Sequence, residues 1–255
     1  MHKHQNRMYK RKYTTTGLLA AFLAILKSFT CSGFELSMKA SSSSSSPMSN
    51  RFVTNKMCPF AQKAWIALEC SETPFKMEEI SLYGANGKPD WFWKLNPDGT
   101  VPVLVAATAK GRPDAIIADS EDILNSFVAG DVIGGNGVLT CDENQEQSLF
   151  QKQQWWRDTI QRRVNPIGKS AVLGAGKTKL YDLLHDLNSE VVGPYLCGDR
   201  VTVADCAAFP FLWRIHNEFG LDEVNKNSNL LSWLRTCEGN PAFQKTVQNS
   251  WWWWW

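Results

Sequence analysis

Cys58-Pro59-Phe60-Ala61-Gln62-Lys63-Ala64-Trp65-Ile66-Ala67-Leu68-Glu69-Cys70 places one cysteine where a short strand should give way to an amphipathic helix. Pro59 suits a first helical turn, where its missing N–H removes no bond. Ala64, Trp65, Ala67 and Leu68 recur at helical spacing, so this helix should pack one face into a core. Unpaired N–H groups and the positive dipole end at a helix start stabilise an adjacent anion. A thiolate is such an anion, and this placement can lower a cysteine pKa from about 8.5 to roughly 3.5–7.5. Cys58 is therefore a candidate nucleophile, against the plainer reading of a small buried hydrophobe. Ala61 in the fourth position rules out the C-x-x-C dithiol that resolves its own mixed disulfide. Cys70 sits roughly 18 Å farther along the same helix, at about 1.5 Å per residue, too far to resolve Cys58. A thiol so placed takes its second thiol from another molecule.

At 255 residues and 44% hydrophobic, the chain can bury a substantial core in one large domain or two small ones. The net charge of +2 hides an asymmetry, because residues 1 to 33 carry six Lys or Arg and no acid. The remainder holds 21 basic and 25 acidic residues, or −4, which gives no basic surface for nucleic acid. Seven cysteines, at 31, 58, 70, 141, 197, 206 and 237, are odd in number and scattered. They lack the spacing of a zinc site and the density of a disulfide scaffold, so the mature protein is expected where thiols stay reduced. Four histidines, two of them at positions 2 and 4, argue against a histidine metal centre, and no metal is expected.

The first fifty residues read as an address. A basic stretch, Lys3 to Lys12, precedes the apolar run Gly17 to Leu26, which is too short for a membrane span of about 20 residues. It has the length of a signal-peptide core, with Cys31 and Gly33 as the small residues of a cleavage site before Phe34. The Ser-rich segment 34–50 that follows, with Lys39 and one acid at Glu35, resembles a transit peptide. A signal peptide over about 1–33, joined through phenylalanine to a transit segment, resembles the bipartite plastid presequence of algae with secondary plastids. The competing expectations are plain secretion and a membrane anchor through residues 17–26. The odd cysteines and the lack of an N-x-Ser/Thr sequon weigh against secretion.

From Arg51 the pattern is strand 51–54, helix 60–70, strand 75–82, short helix 88–95, strand 101–107, strand 115–118 and helix 120–127. This βαβαββα order over 51–129 describes a small α/β unit, with turns at Gly84 to Gly87 and Asn96-Pro97-Asp98-Gly99. A Gly-rich linker, 130–142, leads to an all-α domain over 143–250, with helices at 143–164, 177–192, 202–219, 228–237 and 241–250. Thr202-Val203-Ala204-Asp205 supplies an N-cap threonine and an acid at N3, a variant capping box ahead of a buried helix. Five tryptophans, Trp251 to Trp255, end the sequence.

Together these segments resemble a glutathione transferase of the cysteine-containing omega or lambda type. Cys58 to Ile66 is similar to the lambda-class active-site segment, and Lys88-Pro89-Asp90-Trp91-Phe92 followed by Asn96 to Leu104 resembles the omega-class run into a cis-proline loop. Asp119-Ser120 stands where the family holds the glutamyl end of glutathione, and Thr202 to Asp205 matches the second domain's folding motif. The resemblance covers Arg51 to about Ser250 and implies a thioredoxin-like domain with an all-helical partner, the glutathione transferase fold.

The resemblance also implies roles. Cys58 is the catalytic thiol; Val101 pairs its backbone with the cysteinyl part of glutathione, and Pro102, in cis, shapes the loop opposite. Lys88 faces the glycyl carboxylate, Phe60 contributes its backbone near the thiol, and Asp119 and Ser120 meet the glutamyl end. Asp119 is shorter than the commoner glutamate, while Ser120, at a helix start, meets the carboxylate through hydroxyl and N–H. Glutathione is then a co-substrate, and a cysteine in place of the usual tyrosine or serine moves the chemistry from conjugation toward reduction of small-molecule or protein disulfides. Dehydroascorbate reduction is a related activity in such enzymes. Trp155, Trp156, Phe209 and Trp213 line an electrophile pocket or, as aromatics at helical spacing usually do, pack in the core.

Other readings are weaker. Gly174-Ala175-Gly176-Lys177-Thr178 lacks the first glycine of a P-loop, since position 171 is alanine, and reads as a loop opening a helix. Arg162-Arg163 is too short a basic cluster for nucleic acid. The alternatives are a conventional conjugating transferase and a non-enzymatic relative, such as the chloride intracellular channel proteins with their similar Cys-Pro-Phe segment. Gln62, Lys63 and Glu69 interrupt the helix too often for a membrane span in the mature protein, which is expected as a monomer or homodimer.

Overall fold

The computed structural model describes residues 50–82, 87–107, 114–132, 134–221 and 228–248. The presequence up to residue 49, the turn residues 84–86, residues 249–250 and Trp251–Trp255 lie outside the described residues; the last helix, expected over 241–250, covers only Pro241–Gln244, and residues 245–248 turn out of it. The first strand, β1 (Asn50–Thr54), begins one residue inside the segment expected as presequence. It is followed by α1 (Pro59–Cys70), β2 (Phe75–Glu79), α2 (Asp90–Leu95), β3 (Val103–Ala106), β4 (Ala115–Ile117) and α3 (Ser120–Ala129).

The strands form one sheet in the order β2-β1-β3-β4, with β1 and β2 parallel and the other two pairs antiparallel. Side chains alternate between the faces of a strand, and the register shows which face meets which helix. Phe52 pairs with Leu104 and points into the large core with Ala64, Leu68, Ile123 and Leu124 of α1 and α3. Val53 pairs with Val103 and points the other way, to Phe92 of α2. All four residues of β3 are buried, as a central strand covered on both faces requires. The edge strand β4 is short and largely exposed.

Gly99 holds the turn that leads into β3, at φ 66°, with its N–H bonded to the Asn96 carbonyl at 3.0 Å. A Cβ there would stand 2.4 Å from Cζ3 of Trp93. Gly99→Ala is expected to lower stability by about 1–2 kcal/mol through positive-φ strain and overpacking. Urea denaturation with an unchanged midpoint would contradict this.

The helical half comprises α4 (Gln147–Thr159), a π-helical segment (Ile160–Val164), α5 (Asn165–Val172), α6 (Lys177–Ser189), α7 (Val203–Phe219), α8 (Ser228–Gly239) and α9 (Pro241–Gln244). The first three are consecutive, so the helix expected to stop at Val164 runs on to Val172. Pro166 has no N–H to give the carbonyl four residues back; just before it the ladder widens, and the Asn165 N–H meets the Ile160 carbonyl five residues earlier. Helix α4 also starts at Gln147, four residues later than expected, after a turn in which the Gln145 and Glu146 N–H groups bond the Asp142 carbonyl. The sheet half and the helical half form a single compact unit. Helix α1 lies between them, packed on α3 and α7 and buried along Ala61–Leu68. Among the described residues no helix is long and apolar enough to cross a membrane.

Candidate active site

Cys58 is the N-cap of α1, in extended conformation at φ −77° and ψ 118°, with Pro59 in the first turn. Its carbonyl accepts the first helical bond, from Gln62 N–H at 2.9 Å. The thiol points toward the Val101 carbonyl, 4.0 Å away. The Val101–Pro102 bond is cis and both residues are buried, so the loop expected opposite Cys58 is in place.

The electrostatics differ from the sequence expectation of a depressed thiol pKa. Burial pushes the Cys58 thiol above its ordinary value; the N–H groups of Ala61 and Phe60 and the charges of Arg214 and Lys63 pull it down without overcoming burial. The helix terminus supplies the anticipated stabilisation, but the cysteine is desolvated where it packs against the cluster that includes Val53, Val101 and Val103.

Asp119 is the N-cap of α3: its Oδ1 accepts from the N–H groups of Glu121 at 2.6 Å and Asp122 at 3.3 Å. This capping role was missed in the sequence, which offered Asp119 only as a ligand group. Ser120 is the first helical residue and is buried. Phe60 turns its ring edge-on to Phe211 of α7, 5.4 Å between centroids. Lys88 lies over the Trp93 ring, its ammonium 5.5 Å from the centroid. Of the four aromatics weighed for a substrate pocket, Trp156 and Phe209 are fully buried core residues. Trp155 is 38% exposed beneath the Lys152 ammonium, and Trp213 stacks on Phe209 with centroids 6.4 Å apart.

A buried charge network joins the two ends of the site. Lys63 of α1, with no exposed surface, donates to Glu121 Oε1 at 2.7 Å, and Arg157 of α4 donates from Nε to Glu121 Oε2 at 2.8 Å. Arg157 Nη2 also reaches the Glu121 carbonyl at 3.1 Å and Asn125 Oδ1 at 2.8 Å. Glu121 immediately follows Asp119-Ser120, so the start of α3 is fixed against both the Cys58 helix and the helical half. The signal in the sequence was two adjacent polar residues, Gln62 and Lys63, in the buried stretch of a largely apolar helix, where such residues must be given partners. Burial pushes the Glu121 carboxyl up, but the charges and hydrogen bonds of Lys63 and Arg157 more than reverse this, and it is held below the ordinary value. A depressed carboxylate stabilises the fold above its unfolded pKa, and that contribution is lost as pH falls through the folded value. Glu121→Ala, which leaves two buried cations uncompensated, is expected to cost about 3 kcal/mol and to flatten the acid limb of the stability profile. Chemical denaturation across pH 3–7 checks both effects.

Among the described residues no group of three His, Cys, Asp or Glu side chains is arranged to hold a metal ion. The arrangement is one thiol at a helix start, a cis-proline loop facing it, and a second helix start braced to the first.

Comparison with known proteins agrees with this architecture. Residues 57–126 match the glutathione S-transferase N-terminal domain family, and residues 175–236 match the C-terminal domain family. The probable glutathione S-transferase DHAR1, cytosolic, of Oryza sativa subsp. japonica is 32% identical over 62% of this chain and 67% of its own length. The probable glutathione S-transferase DHAR4 of Arabidopsis thaliana is 24% identical over 84% of this chain and 92% of its own. The crystal structure of glutathione transferase Omega 1C from Trametes versicolor superposes with a TM-score of 0.66 at 22% identity, over 79% of this chain and 92% of that one. The same fold, the matched domains in both halves and the relatedness to the rice protein show that the chain belongs to the glutathione S-transferase family.

Proposed function

We propose that the protein is a glutathione-dependent thiol transferase that works through a Cys58 mixed disulfide. The observation that carries this reading is a sulfur, where a hydroxyl would serve conjugation, at the start of α1 and facing the cis Val101–Pro102 loop. The Cys58 thiolate attacks the glutathione sulfur of a mixed disulfide; the S–S bond breaks, the other thiolate leaves and takes up a proton, and Cys58 carries glutathione. A second glutathione thiolate attacks that bond, releasing oxidised glutathione and regenerating the Cys58 thiolate. Val101 presents backbone to the cysteinyl part of glutathione, and Ser120 receives the glutamyl carboxylate through its hydroxyl and N–H. Asp119, already bonded to two N–H groups of α3, meets the ammonium with the capacity its carboxylate retains. Phe60 contributes backbone, and Lys88 reaches the glycyl carboxylate by leaving Trp93. Dehydroascorbate, an electrophile that two thiols reduce, is the related small-molecule substrate.

Stoichiometric glutathionylated peptide, added without free glutathione and followed by acid quench and peptide mass mapping, tests the mechanism. The expected product is glutathione on Cys58 with release of the reduced peptide. An unmodified Cys58, in protein that conjugates a standard electrophile, would support the conjugating alternative.

The plastid reading of the presequence draws support from chloroplastic relatives, among them glutathione S-transferase DHAR3, chloroplastic, of Arabidopsis thaliana, 40% identical over 47 residues. A fluorescent fusion of residues 1 to 55 that stayed diffuse in the cytosol would overturn it.

A further inference from the structure

An arginine of the helical half grips the helix start assigned to the glutamyl end of glutathione. Arg157 of α4 is only 3% exposed. Its Nε donates to Glu121 Oε2 at 2.8 Å, and its Nη2 donates to the Glu121 carbonyl at 3.1 Å and to Asn125 Oδ1 at 2.8 Å. Residues four apart share one face of a helix, so the guanidinium fixes the start of α3 both along its axis and around it. Glu121 Oε1 is held from the other side by Lys63 of α1, which lies five positions after Cys58 and donates at 2.7 Å. The neighbouring Gln62 is held elsewhere. Arg214 of α7 donates to Gln62 Oε1 at 2.5 Å and to the Met57 carbonyl at 3.5 Å, while Gln62 Nε2 donates to Thr246 Oγ1 at 3.1 Å and to the Thr246 carbonyl at 3.3 Å. Lys63 is thus the polar tie from the Cys58 helix to α3.

Two buried cations sharing one carboxylate are a costly way to join helices, since well-packed apolar side chains of similar volume often hold them as well or better. What the fork adds is direction. Its planar donors fix angle as well as distance, and the turn they fix carries Ser120, one residue before Glu121. Within that turn Asp119 occupies the N–H groups of Glu121 and Asp122, so the carboxylate contact falls to Ser120. A tripeptide held there reacts at Cys58 only when the sulfurs come within about 3–3.5 Å in line, and a misplacement of about 1 Å can cost about 10²-fold.

We infer that Arg157 is a positioning residue for the glutamyl end of glutathione, acting through Glu121, and that it makes the protein prefer disulfides of γ-glutamyl thiols over those of shorter thiols. The inference rests on the glutathione reading of the Cys58 site and names what that site selects. Arg157 comes from α4, so selection in the sheet half depends on a residue of the helical half. Removing it leaves Lys63 and Glu121 as a balanced pair, and Glu121 and Asn125 both reach solvent. Arg157→Met therefore changes position without stranding a buried charge.

Two peptide disulfides test this in the full chain, one carrying glutathione and one carrying cysteinylglycine, which has the same thiol and glycyl end but lacks the glutamyl arm. In each, Cys58 attacks the small-thiol sulfur, the S–S bond breaks and the peptide leaves as its thiolate. Wild type is expected to release the glutathionylated peptide faster. Arg157→Met should cut that preference, the ratio of the two second-order rate constants, by about tenfold, and weaken binding of reduced glutathione in calorimetry by a similar factor. Arg157→Lys keeps the charge without the fork, so most of the preference should still be lost; it carries the comparison should Arg157→Met not fold. A brace that serves stability alone predicts a lower melting temperature, both peptides slowed alike and the ratio unmoved, and that result overturns the inference. If wild type releases neither peptide, the thiol-transferase reading fails and calorimetry decides for Arg157. A tenfold loss of glutathione affinity in Arg157→Met then supports the positioning role, whereas equal affinity, or no binding by wild type, overturns it.

Discussion

Cys58→Ser is expected to lower kcat/KM for reduction of a glutathione mixed disulfide by at least about 10³-fold, because an alkoxyl oxygen cannot form the S–S bond on which both half-reactions depend. The same variant keeps a hydroxyl at the start of α1, with the same N–H groups around it and the same cis-proline loop opposite. That hydroxyl can donate to a bound glutathione thiolate, so conjugation of an electrophile should survive or increase. The two assays run side by side therefore move in opposite directions. Parallel loss of both, in folded protein, would mean that Cys58 holds the site together rather than reacting. Reduction persisting at a tenth of wild type or more would place the nucleophile elsewhere.

Asp205→Ala is expected to destabilise the fold by about 3–5 kcal/mol. Asp205 is fully buried and accepts from Leu196 N–H at 2.9 Å, Thr202 N–H at 2.8 Å, the Thr202 hydroxyl at 2.9 Å and Trp233 Nε1 at 2.9 Å. Alanine leaves four buried donors without their acceptor, and each such loss is expensive. The penalty falls on the start of α7 and on its junctions with α8 and the loop before it. A fall of roughly 10 °C in melting temperature follows for a domain of this size. Asp205→Asn keeps the volume and one strong acceptor, so it should fall between wild type and alanine. Burial pushes the Asp205 carboxyl up against the pull of its donors, and this burial cost is part of why asparagine is the milder change. A melting temperature for the alanine variant within 2 °C of wild type would contradict the network's role.

What could be read from the sequence follows what is local in the chain. The Pro59 helix start, the Gly99 turn and the Thr202 capping box each involve residues within a few positions of one another, and the structure has all three. Strand ends were overextended, to 82 for β2 and 107 for β3, because apolar and β-branched residues continue past the point where pairing stops. The thiol's electrostatics failed for the opposite reason. Helix-start stabilisation is visible in thirteen residues, whereas the burial that outweighs it comes from Val101 and Val103, more than 40 positions away. Arg214, Glu121 and Arg157 escaped for the same cause, since each acts across the junction of the two halves on a partner distant in sequence.

Gln62, in the helix that Cys58 caps, bonds Thr246, 184 residues farther along the chain, so this brace of the Cys58 helix is among the last contacts that synthesis supplies. A ribosome adding about 5–20 residues per second leaves the Cys58 segment without its brace for roughly 10–40 s. During that interval Arg214 and, longest of all, Thr246 are still to be made, and Cys58 sits on a growing chain without the contacts of the helical half. The surroundings of Cys58 are complete only with the last turns of the chain, so a truncated or stalled product carries the thiol without the contacts that brace its helix.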